Sequence, residues 1–170
     1  MKHLLILLLL MIAFFACKQS PPQERSLIPE GQIGSRLPSF STVDLHGQKI
    51  TSADLKNKVV LIDLWATWCA PCRKEMPGYQ MLVDKYGSRG FAVIGFKVDV
   101  MADTEDPIQF AKELGVHYPI AIGAADIRNK FGGLQGLPTT LIYDRSGILR
   151  SKVIGFEYTS VIEKTIQRFL

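Results

Sequence analysis

A chain of 170 residues, 47% apolar and 21% charged, has room for one domain with a full hydrophobic core and is not a disordered polymer. Its 20 basic and 16 acidic residues are scattered along the chain, with a formal charge of +4 and no basic block that could track a phosphate backbone. Nucleic acid is therefore not expected as a partner.

Met1-Lys2-His3 is a short basic start, and Leu4 to Ala16 is a run of thirteen apolar residues without a charge. At ~1.5 Å of rise per residue such a helix falls well short of a ~30 Å hydrocarbon core. Residues 1–16 therefore fit the apolar region of an export signal peptide, with an uncleaved anchor as the alternative. Cys17 ends the run directly after Ala16. This resembles the bacterial lipoprotein signal, in which a cysteine after a small residue is acylated and becomes the mature N-terminus. Phe14 and Phe15 depart from that pattern's usual Leu and small residue, and a cysteine that merely ends a signal peptide is the other reading. Lipidation would account for the odd third cysteine. Residues 17–34, with Pro21-Pro22 and little to bury before Leu27, read as a lipid-anchored tether, leaving 35–170 as the folded domain. The expected location is the periplasmic or extracytoplasmic face of a bacterial membrane, where disulfide exchange is meaningful.

In the folded part, Phe40 to Thr51 reads as a β-hairpin around Asp44-Leu45-His46-Gly47, and Ser52 to Leu55 as a single helical turn. Val59 to Trp65 is a continuous apolar run of the kind a strand buried on both faces shows. A helix from about Pro71 to Tyr86 is marked by Met76, Tyr79, Leu82, Val83 and Tyr86 at helical spacing, and Gly87 and Gly90 end it. Phe91 to Asp99 is a second buried strand. Asp106-Pro107 caps a helix to Leu114 that stops at Gly115. Tyr118 to Ile122 reads as a strand and Asp126 to Phe131 as a helix. Thr139–Asp144 and Ile148–Ile154 flank a turn at Arg145-Ser146-Gly147, and Thr159 to Leu170 is an amphipathic helix. The order implies an α/β fold with one mixed sheet and helices on both faces.

The chemistry concentrates at Trp68-Cys69-Ala70-Pro71-Cys72, where the first buried strand gives way to a helix. The thiolate is the form that attacks disulfides, and the unpaired N–H groups at a helix N-terminus favour that anion at Cys69. Cys72, one turn inside the helix, suits the resolving role. A zinc site would need a second ligand pair, and His46 and His117 stand in unrelated elements. Haem attachment would need His where Arg73 stands.

Asp63-Leu64-Trp65-Ala66-Thr67-Trp68-Cys69-Ala70-Pro71-Cys72 resembles the active-site segment of thioredoxins. Arg73, Glu75 and Pro77 are similar to the membrane-anchored branch represented by the TlpA and ResA disulfide reductases. Gly136-Leu137-Pro138-Thr139-Thr140 is similar to the family's cis-proline loop, so the resemblance spans roughly 34–170. It implies a thioredoxin-like mixed β-sheet flanked by helices, with an N-terminal β-hairpin and a central βα insertion. It further implies a redox-active Cys69–Cys72 disulfide as the only redox group, with no metal or other cofactor. Pro138 would be cis and face the cysteines, and the Leu137 backbone would pair with a substrate chain; an ordinary turn proline is the plain alternative. Trp68 would face substrate while Trp65 packs in the core.

Asp63 matches a family acid that shuttles the second cysteine's proton, against the alternative of a hydrogen-bonded structural Asp. Glu75 matches an acid that tunes the thiols, against simple helix-dipole complementarity. Where thioredoxins carry a buried Lys on the next strand, this chain has Gly95, with Lys97 two residues on along the same face.

The function these readings imply is thiol–disulfide exchange, most naturally protein-disulfide reduction, with cytochrome c maturation as the setting the resemblance suggests. Protein disulfides or dithiols would be substrates and a membrane thiol donor would re-reduce the pair. A DsbA-type oxidase is the runner-up, although that group carries a large helical insertion. A thiol peroxidase needs Pro seven and Thr three residues before its reactive Cys, and Ile62 and Ala66 hold those places before Cys69. A copper chaperone of related fold uses a CxxxC spacing one residue longer than the present one.

Overall fold

In the computed structural model, residues 31–98 and 105–170 are described. The expected signal peptide, Cys17, nearly all of the tether and Asp99 lie outside them. Strand β3, Val59–Trp65, is buried at every position because only Asp63 interrupts its apolar run. It is the middle of a five-stranded sheet ordered β5-β4-β3-β6-β7, with β4 Phe91–Lys97, β5 Ile120–Ile122, β6 Thr139–Tyr143 and β7 Leu149–Ile154. β3 runs parallel to β4 and antiparallel to β6. β5 is parallel to β4, and β7 is antiparallel to β6, so the sheet is mixed as expected.

The hairpin β1 Ser41–Val43 and β2 Lys49–Thr51 forms a separate two-stranded sheet. Its turn is closed by Asp44, whose Oδ1 accepts the N–H groups of His46 and Gln48, and Gly47 supplies the left-handed φ of 81°. The helical turn Ser52–Leu55 follows directly.

Alternation along β3 assigns its two faces. Val59, Leu61 and Trp65 pack against Met76, Tyr79 and Leu82 of helix α1, Ala70–Tyr86, and against Ile162 and Ile166 of the C-terminal helix α4, Thr159–Gln167. Phe110 of α2, Pro107–Glu113, joins this layer by stacking on Trp65 with centroids 5.0 Å apart. Val60, Ile62 and Leu64 face the other way, onto Phe40, Phe96, Phe131 and Ile127, the last from α3, Ala125–Lys130. Helices therefore cover both faces.

Several boundaries lie one to three residues from expectation, and two of them bear on the packing. β5 begins at Ile120 and not at Tyr118, because Pro119 has no N–H to contribute to a ladder. α4 ends at Gln167, with Phe169 and Leu170 packed on the core beyond it. Residues 31–34, expected as the end of the tether, already contact the domain: Gly31 is buried against Phe131, and the Gly34 N–H donates to Leu149 O at 2.9 Å. Among the described residues, no helix is long and apolar enough to cross a membrane.

Candidate active site

Cys69 is the N-cap of α1, in extended conformation, and its Sγ accepts the Cys72 N–H at 3.2 Å. The two sulfurs form a disulfide with an S–S distance of 2.02 Å. Once reduced, the Cys69 sulfur sits on a backbone N–H at the positive end of a helix, the setting that stabilises a thiolate. Both cysteines are nearly covered in the oxidised form, Cys69 at 3% exposure and Cys72 at 1%, so the small residual opening is on the Cys69 side. Trp68 stands 48% exposed beside them, whereas Trp65 is fully buried against Phe110, in the core as expected. Arg73 lies over the Phe110 ring and pairs with Glu105 at 3.1 Å.

The Leu137–Pro138 peptide is cis. Its loop is held by the Thr139 hydroxyl donating to Gly136 O at 2.7 Å and the Gly155 N–H donating to Pro138 O at 2.8 Å. Leu137 packs against the cluster that contains Cys69 and Cys72, and Thr139 is registered opposite Leu64 near the end of β3. The fold thus brings the proline loop to the motif.

Behind the disulfide lie two acids. Asp63 is 1% exposed, on the face of β3 that α1 covers, between Gly95 on β4 and Thr140 on β6. Burial first, and then the charge of Glu75, push its carboxyl well above the usual range. Cys72, Glu75 and Tyr79 recur at i, i+3 and i+7 on the buried face of α1. Glu75 accepts the Tyr79 hydroxyl at 3.0 Å and the Glu157 N–H. Burial raises its carboxyl to about 6, despite those two hydrogen bonds pulling the other way. Tyr79 also contacts the Thr140 hydroxyl at 2.9 Å, which ties the acid to the strand that follows Pro138. Both acids therefore hold their protons more tightly than free carboxylic acids, as a group that exchanges a proton with a thiol needs to.

Gly95 does lie opposite Asp63, and Lys97, buried, is registered opposite Trp65 instead. Sequence reasoning missed Tyr79 and Glu157 as partners of Glu75, and Thr140 as the partner of Tyr79. Only the i+4 spacing from Glu75 to Tyr79 was a usable signal. Among the described residues, no three His, Cys, Asp or Glu side chains gather as a metal site.

Comparison with known proteins agrees with this geometry. The AhpC/TSA family model matches residues 33–152. The chain is 36% identical over 141 residues to a thiol-disulfide oxidoreductase ResA of Bacillus cereus, covering 81% of this chain and 78% of that protein. It is 30% identical over 145 residues to a thiol:disulfide interchange protein DsbE of Pseudomonas fluorescens, covering 83% and 74%. A solved thiol:disulfide interchange protein of the thioredoxin family from Chlorobium tepidum superposes with a TM-score of 0.74 at 28% identity, covering 81% of this chain and 97% of that one. The chain belongs to the AhpC/TSA family, as a thioredoxin-like thiol-disulfide oxidoreductase of the ResA kind.

Proposed function

We propose that the protein is a protein-disulfide reductase held at the outer face of a bacterial membrane by a lipid on Cys17. The observation that carries the redox reading is the Cys69–Cys72 pair capping α1, with the Cys72 N–H on the Cys69 sulfur. In the reduced protein the Cys69 thiolate attacks a client disulfide, so that one client sulfur leaves as a thiolate that takes a proton from solvent and the other is joined to Cys69. Cys72 then gives its proton to Asp63 and attacks Cys69 Sγ, which re-forms the protein disulfide and releases the second client sulfur as a thiolate, protonated as Asp63 gives its proton up. Two electrons pass from the protein dithiol to the client, and a membrane thiol donor restores them.

Trp68 and the Leu137 backbone offer the client an apolar contact and an extended edge beside Pro138, and Glu75 tunes the two thiols. Clients whose cysteines must stay reduced for haem attachment, as in cytochrome c maturation, suit this direction. The test is a disulfide-closed Cys-x-x-Cys-His peptide. The reduced protein should open it in one turnover, and the oxidised protein should not close the reduced peptide at a comparable rate. Faster closure than opening makes the protein an oxidase of DsbA type.

The lipid anchor has its own test. Cys17→Ser should abolish metabolic labelling by a fatty acid and move the protein from the membrane pellet to the supernatant. Unchanged labelling would remove the anchor from the proposal.

A further inference from the structure

Four buried polar atoms next to the acid have no hydrogen-bond partner: both oxygens of Asp63, the indole Nε1 of Trp65 and the hydroxyl of Tyr118. Two are acceptors and two are donors, and Gly95 is what they share. Asp63 is registered opposite Gly95. A Cβ added at Gly95 would fall 3.0 Å from Trp65 Nε1 and 3.3 Å from Tyr118 Cε2, so both rings occupy the space the missing side chain leaves. Tyr118 is fixed there from two sides. Gln80 of α1 accepts the N–H groups of His117 and Tyr118 at 2.7 and 3.0 Å, and the Gly95 N–H donates to Pro119 O at 2.9 Å. The Asp63 charge acts on the Tyr118 phenol, which burial already holds in its neutral, donating form.

We propose that Tyr118, with the Trp65 indole, is a positioning residue for Asp63: the phenol O–H rotates its hydrogen toward the carboxylate when it ionises, the in-plane indole N–H adds its fixed dipole, and together they set the pH at which Asp63 accepts the Cys72 proton. Unpartnered donors beside a buried carboxylate cost free energy until that group carries a charge, and then they stabilise it. Glu75 and Tyr79 act on this shell from α1, whose buried face they share with Cys72; Thr140 of β6 is registered opposite Asp63, and the buried Lys97 of β4 opposite Trp65. His117 flanks it at the surface, and Glu157 reaches it through Glu75. This inference rests on Asp63 being the proton acceptor.

The experiment is a carbon-13 carboxyl NMR titration of Asp63 in the reduced full-length chain, with the indole N–H resonances followed in parallel. In the wild type the Trp65 indole N–H should move with the Asp63 midpoint, while that of exposed Trp68 should not. In Tyr118→Phe the Asp63 midpoint should rise by about one pH unit, the loss of one hydrogen bond to a charged group. A Trp65 resonance that stays flat through the Asp63 titration, or a midpoint unchanged in Tyr118→Phe, overturns the assignment. Where the variant does not fold, the wild type decides: the ring carbon-13 signal of Tyr118, labelled and followed in the same titration, should move with the Asp63 midpoint, and a flat signal overturns the assignment. If the midpoint moves as expected but Asp63→Asn resolves the mixed disulfide as fast as wild type, the Tyr118 assignment stands and Asp63 is not the base.

Discussion

Cys69→Ser should lower disulfide reduction by on the order of a thousandfold or more, because no thiolate remains to begin the exchange. Cys72→Ser should behave differently. It keeps the Cys69 sulfur at the α1 N-terminus but has no second thiol to release the client. A mixed disulfide should therefore accumulate on Cys69, seen by mass spectrometry as an adduct that dithiothreitol removes. The asymmetry follows from position: Cys69 is the cap that receives a backbone N–H, and Cys72 is the more covered of the two. An adduct that forms on Cys72 in Cys69→Ser, with none in Cys72→Ser, would reverse the two roles.

Glu75 should make the domain less stable as pH rises from 4.5 to about 6. Its carboxyl is raised by folding, so within that interval the unfolded chain has released the proton and the folded chain still holds it. The Glu75 contribution is full below the interval, falls across it and is level above it. The loss is up to about 2 kcal/mol, the equivalent of the displaced titration. Asp63 acts in the same direction from its ordinary value of 3.8 upward. Glu75→Gln keeps one acceptor oxygen where Glu75 uses two, so it loses either the Glu157 N–H or the Tyr79 hydroxyl bond at every pH, but it has nothing to titrate. In urea unfolding the wild type should therefore lose stability relative to the variant as pH rises from 4.5 to about 6, on top of a pH-independent offset from the lost hydrogen bond. Exposed carboxylates with lowered values, such as Glu163 and Asp54, are common to both proteins and cancel in the comparison. Parallel curves would mean that Glu75 ionises in the fold as freely as it does in the unfolded chain.

Much of the framework was legible in the sequence because it is local. Period and punctuation sufficed for β3, α1, the hairpins and the Asp106 cap, whose side chain accepts the Ile108 N–H at 2.9 Å. Asp63 stood out as the one acid in an apolar strand. What was not legible depends on contacts between residues far apart in the chain. Tyr79 has the spacing of a core residue and packs as one; only its hydroxyl, bonded to Glu75 and to Thr140 61 residues away, makes it part of the site. Tyr118 was read as the first residue of a strand. Pro119 excludes it from the ladder, and this leaves its ring free to lie over Gly95. Lys97 illustrates the same limit: alternation places it on the face of Gly95, but only the register puts it opposite Trp65 and not Asp63.

The direction of electron flow is the central claim, and the reduction potential of the Cys69–Cys72 pair tests it most directly. Equilibrated against a dithiol buffer, the pair should report a potential near or below ~−250 mV, reducing enough to open client disulfides. A value near ~−120 mV, where the reduced form is the favoured one and the disulfide is a strong oxidant, would contradict it.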